Sequence, residues 1–195
     1  ILGSGSERWY RSLFFGGRNH ELMGESTATY CLLNNSDIKN ISEIFPEFKA
    51  IIILRNPIER TWSNMKYDYK KNRNVDINDQ LSVKRYLNSD FNLSVNNYPS
   101  IINTWHDAIG RERVRFYLFD EIINNKSALM KKIIHFLGEG EITYSQDLLM
   151  EESRNKSFES DIPEKVKRTL YEMNKENITV MAEQLGFDVK HWLDR

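Results

Sequence analysis

The chain has 195 residues, a formal net charge of −1 and a single cysteine, Cys31. That length suits one α/β domain over residues 1–195, and the near-neutral charge excludes broad electrostatic capture of nucleic acid while allowing a local basic pocket for a small anion. A lone cysteine excludes an intramolecular disulfide and a thiolate metal cluster, and no apolar run reaches the length of a membrane span.

The start, Ile1-Leu2-Gly3-Ser4-Gly5-Ser6, reads as the tail of a strand entering a glycine-containing loop, or as a vector-derived leader. It lacks the basic-then-apolar pattern of a signal peptide, so a soluble chain is expected, cytoplasmic if bacterial. An amphipathic run over residues 7–15 follows, and a short strand is expected over residues 22–25. Residues 36–45 carry Ile38, Ile41 and Ile44 on one side of a helix that Pro46 stops. Residues 49–54 form a short, β-branched, nearly unbroken apolar run, the pattern of a strand covered on both faces in a parallel sheet. Helices are predicted over residues 57–71 and 98–109, the second with Ile101, Ile102, Trp105 and Ile109 as its apolar stripe. A second strand covers residues 114–119. A helix over residues 126–137 buries Leu129, Ile133, Phe136 and Leu137 and closes at Gly138. A long helix over residues 163–185 has Pro163 in its first turn and Gly186 just beyond its end. Residues 72–79 and 145–160 read as loops. Strands alternating with helices of this length predict an α/β fold with a mostly parallel sheet.

One segment carries chemistry. The buried strand ends at Leu54, Asn56 can cap a helix, and Pro57 sits where a helix tolerates proline best. Arg55 is thereby placed at the carboxyl edge of the sheet beside a helix N-terminus, the edge where open α/β sheets bind ligands. Unpaired backbone N–H groups, the helix dipole and a guanidinium fork suit a phosphate there. Ser63 lies in the next turn, its side chain leaning toward the helix start. An arginine after a strand is often only a solvated strand end, and Asn-Pro often only starts a helix, so the motif alone leaves both readings open.

The segment Leu54-Arg55-Asn56-Pro57-Ile58-Glu59-Arg60-Thr61-Trp62-Ser63 resembles the 3′-phosphate-binding motif of the sulfotransferase family, with an arginine after the strand, a proline two on and a serine eight on. Trp9-Tyr10-Arg11-Ser12-Leu13-Phe14 is similar to a segment of carbohydrate-modifying and bacterial members. Gly24-Glu25-Ser26-Thr27-Ala28-Thr29-Tyr30 resembles the stretch that lines their acceptor cleft. The pieces fall in the family's order across nearly the whole chain. The resemblance implies a three-layer α/β/α fold related to P-loop NTPases. It further implies 3′-phosphoadenosine 5′-phosphosulfate as donor, adenosine 3′,5′-bisphosphate as product and no required metal. Arg55 and Ser63 would hold the 3′-phosphate, Gly3, Ser4 and Gly5 would belong to the phosphosulfate loop, and Lys156 and Ser157 to a C-terminal cofactor loop. Glu25, Ser26, Thr27 and Tyr98 would meet a hydroxyl- or amine-bearing acceptor of glycan type.

The chain departs from the family in two places. The rest of the phosphosulfate loop and the stretch that normally supplies the catalytic base are absent, and about forty residues after Gly5 are expected to be missing, the size of a strand–helix–loop unit. Ser26 stands where glycan-acting relatives carry a lysine. For the base, His20 in a glycine-rich loop and Glu25 at a strand end are the candidates. His106, His135 and His191 read as packing or surface residues. Trp9, Trp105 and Trp192 read as core, and Asp120 and Glu121 as helix-capping or ion-pairing groups. The rival readings are an inactive sulfotransferase-fold binding module and another nucleotide-dependent transferase. The second lacks a Gly-Lys-Ser/Thr motif.

Overall fold

The computed structural model describes residues 7–12, 14–17, 22–73, 75–138 and 161–194. In chain order these form helix α1 (Glu7–Ser12), a 3-10 turn at Ala28–Leu32, α2 (Asn35–Ile44), strand β1 (Ala50–Leu54) and α3 (Pro57–Lys70). Helices α4 (Gln80–Leu87), α5 (Asp90–Asn96) and α6 (Tyr98–Ile109) lead to strand β2 (Val114–Leu118). Helices α7 (Phe119–Leu137) and α8 (Glu164–Leu185) and a closing 3-10 turn at Lys190–Leu193 complete the order.

Among the described residues the sheet has two strands, β1 and β2, paired in parallel from Ala50↔Val114 to Leu54↔Leu118. Side chains alternate across it, as the pleat requires. Val114, Phe116 and Leu118 join Leu54 in a core shared with α2, α6 and α8. Tyr117 and Arg115 face the other way. The Tyr117 hydroxyl donates to the Lys132 carbonyl of α7 at 3.3 Å, and the Arg115 guanidinium stacks on Phe136 at 4.9 Å. The sheet therefore lies between α6 and α7, the expected three layers. A second apolar cluster joins Ile58, Trp62 and Met65 of α3 to Val83 and Leu87 of α4 and Leu170 of α8. Helix α8 spans both clusters, since its Ile178 and Met181 belong to the first.

Helix ends follow local chemistry. Asn34 caps α2, Asp79 caps α4 and Ser89 caps α5 through side-chain oxygens that accept backbone N–H groups. Gly186 closes α8 at φ 69°, a left-handed conformation that a side chain would strain. Helix α7 begins earlier than residue 126, directly after β2. It kinks at Asn125, whose Oδ1 accepts the Ala128 N–H at 2.9 Å, so a fresh cap marks the predicted start.

Three expectations are corrected. Residues 22–25 form no strand, and Leu22 and Met23 are exposed with no ladder partner. Helices α4 and α5 occupy residues for which the sequence reading gives no element. Trp9 is 50% exposed. The six-residue α1 can turn only one face inward, and Tyr10 takes it, with its ring edge-on to Phe14 and Phe45. Trp105 and Trp192 are core residues, His106 is half-buried with its ring edge-on to Phe116, and His135 is exposed. No helix among the described residues is long and apolar enough to cross a membrane.

Candidate functional site

Parallel pairing places the carboxyl ends of β1 and β2 side by side, so Arg55 and Phe119 are the next residues out along the two strands. The Arg55 guanidinium lies 4.9 Å from the Phe119 ring centroid. Such stacking fixes the plane of the fork while leaving its N–H edges available. Asn56 Oδ1 accepts the Ile58 N–H at 3.0 Å, and Pro57 opens α3. Arg55 Nη2 reaches Glu59 Oε2 at 3.3 Å, a half-exposed pair one helical turn apart. Arg55 Nε is enclosed and has no hydrogen-bond partner among the described residues. A dry, unpaired donor costs about 1–3 kcal/mol, whereas an exposed helical ion pair contributes about 0.3–0.5 kcal/mol. The Glu59 contact is therefore a weak placeholder on a fork that still lacks an acceptor.

Ser63 lies half-buried in α3, four residues beyond Glu59. Residues at that spacing share a helix face, so Ser63 follows Glu59 along the stripe that Arg55 touches. Arg55 thus meets α3 at Glu59, one turn before Ser63, and makes no hydrogen bond to Ser63 itself.

A cleft of about 1210 Å³ opens along the other edge of β1. Glu25, Ser26, Thr27 and Tyr98 all line it, while Arg55 and Ser63 lie outside its wall. Glu25 accepts hydrogen bonds from the Tyr10 hydroxyl and, at 3.2 Å, from the Tyr30 hydroxyl. Burial raises the pKa of both phenols, and proximity to Glu25 raises it further, so they remain protonated donors. Glu25 is a carboxylate held at the cleft by two hydroxyls, with lone pairs to spare. Cys31 also lines the cleft, and burial pushes its thiol up, which keeps it protonated and unreactive.

On the inner wall, Arg60 donates from Nη2 to Asn96 Oδ1 at 2.6 Å. The buried side chains Thr61, Asn92 and Asn96 bond to one another at 3.1 Å, and Asn92 Nδ2 donates to the Leu87 carbonyl at 2.9 Å. Tyr98 is 3% exposed and donates its hydroxyl to the Arg55 carbonyl at 2.6 Å. The last turn lies near this edge too: Asp120 accepts from Trp192 Nε1 at 2.7 Å and pairs with His191 Nε2 at 2.9 Å. Glu121 reaches back to the Leu118 N–H at 3.2 Å and also pairs with Lys132.

Gly3, Ser4, Gly5, His20, Lys156 and Ser157 lie outside the described residues. Among those described, no group of three or more His, Cys, Asp or Glu side chains is placed to hold a metal ion. Sequence reasoning did not single out Phe119, Tyr10, Arg60, Asn92 or Asn96. Phe119 carried a usable signal, an aromatic ring at the end of the second strand. The two asparagines did not, because their partner Thr61 is far away in the chain.

No protein-family model and no curated protein sequence matches the chain. Among solved structures it is similar to a sulfotransferase from Alicyclobacillus acidocaldarius, at a TM-score of 0.77 and 18% sequence identity. The match covers 97% of this chain and 75% of that one. At that identity the likeness establishes the fold.

Proposed function

We propose that the protein is a sulfotransferase that takes a sulfuryl group from 3′-phosphoadenosine 5′-phosphosulfate and passes it to a hydroxyl or amine of a glycan-like acceptor. The observation that carries this reading is Arg55: a strand-end guanidinium stacked on Phe119, with an enclosed Nε for which the described residues offer no acceptor. A phosphate oxygen supplies that acceptor. A charge-assisted bond of about 1.5–3 kcal/mol outweighs the exposed Glu59 pair, so the nucleotide displaces it. Ser63, further along the same helical face, adds a hydroxyl to the same phosphate.

The donor brings the sulfuryl group activated as a mixed anhydride. In the transfer the acceptor atom forms a bond to sulfur. The bond from sulfur to the bridging oxygen breaks with its electron pair going to the 5′-phosphate, and the acceptor proton passes to base. The protein's part is placement and charge stabilisation. The acceptor enters the cleft beside β1, where Glu25, Ser26 and Thr27 offer a carboxylate and two hydroxyls.

The test is calorimetric titration with adenosine 3′,5′-bisphosphate and adenosine 5′-phosphate, followed by donor-dependent transfer of labelled sulfate to glycans. A preference for the bisphosphate together with transfer supports the reading, and equal binding of the two nucleotides without transfer defeats it. Glu25→Gln is expected to raise KM for the acceptor about tenfold, since one charge-assisted bond is lost. Bisphosphate affinity should stay at the wild-type value. A variant with weakened nucleotide binding and unchanged KM would remove Glu25 from the acceptor site.

A further inference from the structure

The residue that fixes the backbone of the Arg55 fork reaches it from another helix. Tyr98, the first residue of α6, is buried at 3% exposure, and its hydroxyl donates to the Arg55 carbonyl at 2.6 Å. That carbonyl belongs to the peptide joining the strand end to Asn56, the residue that caps α3. A bond there sets where the chain leaves the sheet, and so the direction in which the Arg55 side chain starts. Burial raises the pKa of the Tyr98 phenol, against an opposing pull from the nearby Arg60 guanidinium, so the hydroxyl keeps the proton it donates.

Arg60 is itself held. Its Nη2 donates to Asn96 Oδ1 at 2.6 Å, and Asn96 Nδ2 donates to Thr61 Oγ1 and Asn92 Oδ1, each at 3.1 Å. Asn92 and Asn96 are 3% and 4% exposed, and Thr61 is fully enclosed. Arg60 Nε is enclosed and has no partner among the described residues, but the amide and hydroxyl bonds hold one another, because breaking any one of them leaves a group without water or protein to replace it. The bonded cluster runs from α5 to Arg60, whose guanidinium lies close enough to Tyr98 to act on its phenol, and Tyr98 in turn holds the Arg55 backbone.

We propose that Tyr98, steadied by Arg60 and the Asn92–Asn96 amide pair, is a positioning residue that aims the Arg55 fork at the 3′-phosphate. The inference rests on the donor-site reading above and goes beyond it, since Tyr98 acts on the nucleotide only through Arg55.

The experiment compares wild type, Tyr98→Phe, Arg55→Ala and the double variant by calorimetry with adenosine 3′,5′-bisphosphate and adenosine 5′-phosphate, with thermal melts alongside. Tyr98→Phe should weaken the bisphosphate about 3- to 10-fold, the range of one net hydrogen bond, and leave the monophosphate unchanged. Combined with Arg55→Ala it should add nothing, because a residue that works through Arg55 has no fork left to aim. Asn96→Leu should show the same selective loss, smaller in size, and guards against a Tyr98 variant that fails to fold. Equal weakening of both nucleotides, or additive losses in the double variant, would reduce Tyr98 to a general structural role and overturn the proposal. Unchanged bisphosphate affinity in Tyr98→Phe would overturn it alone. A wild-type protein indifferent to the 3′-phosphate would instead bring down the donor-site reading, and this inference with it.

Discussion

Arg55→Ala is expected to weaken binding of adenosine 3′,5′-bisphosphate about 10- to 150-fold, the equivalent of a charge-assisted bond of about 1.5–3 kcal/mol. Among the described residues the ion pair of Arg55 is the half-exposed contact to Glu59 at 3.3 Å, which contributes about 0.3–0.5 kcal/mol, and the Phe119 stack adds about 0.5–1 kcal/mol against the cost of the enclosed Nε, so the melting temperature should barely move. Arg55→Lys should recover only part of the affinity, because an ammonium neither forks across two phosphate oxygens nor stacks as a plane on Phe119. The loss in Arg55→Ala should shrink as salt rises, since the side chain is 32% exposed and screening reaches it. Adenosine 5′-phosphate, with no group at the 3′ position, should bind wild type and variant alike. An Arg55→Ala protein that held the bisphosphate within twofold of wild type would leave the assignment without support.

The parts of this site that the sequence announced are the local ones. A β-branched run, an arginine, a capping asparagine and Pro57 lie within a few residues of each other, and each acts on its immediate neighbours. Their geometry could be read before any tertiary contact was known. The Glu25-Ser26-Thr27 stretch was placed at a cleft by resemblance, and it lines one in the structure, but as irregular backbone rather than a strand end. Its apolar Leu22 and Met23 mimic a strand, and only the absence of a ladder partner shows otherwise. Asn92 and Asn96 were silent for a different reason. Their role depends on Thr61 and Arg60, more than thirty residues away, and polar residues in a weakly periodic segment give no hint of burial. Trp9 misled because aromatic size suggests burial, while a short helix at the surface had room to bury only Tyr10. Long-range pairing decides these cases, and a one-dimensional pattern does not encode it.

Trp192→Ala is expected to destabilise the protein by about 3–5 kcal/mol, the range for removing a large buried ring, and so to lower Tm by about 6–20 °C. The ring is 2% exposed and packs in the same cluster as Ile38, Leu54, Tyr98 and Trp105. It comes from the short closing turn at Lys190–Leu193, so one side chain secures the tail to the core between α2, β1 and α6. Its indole N–H also donates to Asp120 Oδ2 at 2.7 Å, at the start of α7 and one residue from the ring on which Arg55 stacks. Trp192→Phe separates the two contributions. Most of the buried area survives, the N–H is lost, and Asp120 keeps His191 and water as partners, so a decrease of about 1–2 kcal/mol is expected from one hydrogen bond and a small void. Chemical denaturation followed by tryptophan-independent circular dichroism measures both. If Trp192→Ala melted within about 2 °C of wild type, a shift below that expected for 1 kcal/mol, the tail would contribute nothing to the core. The first turn of α7, and the Phe119 ring it carries, would then owe their position to the sheet alone.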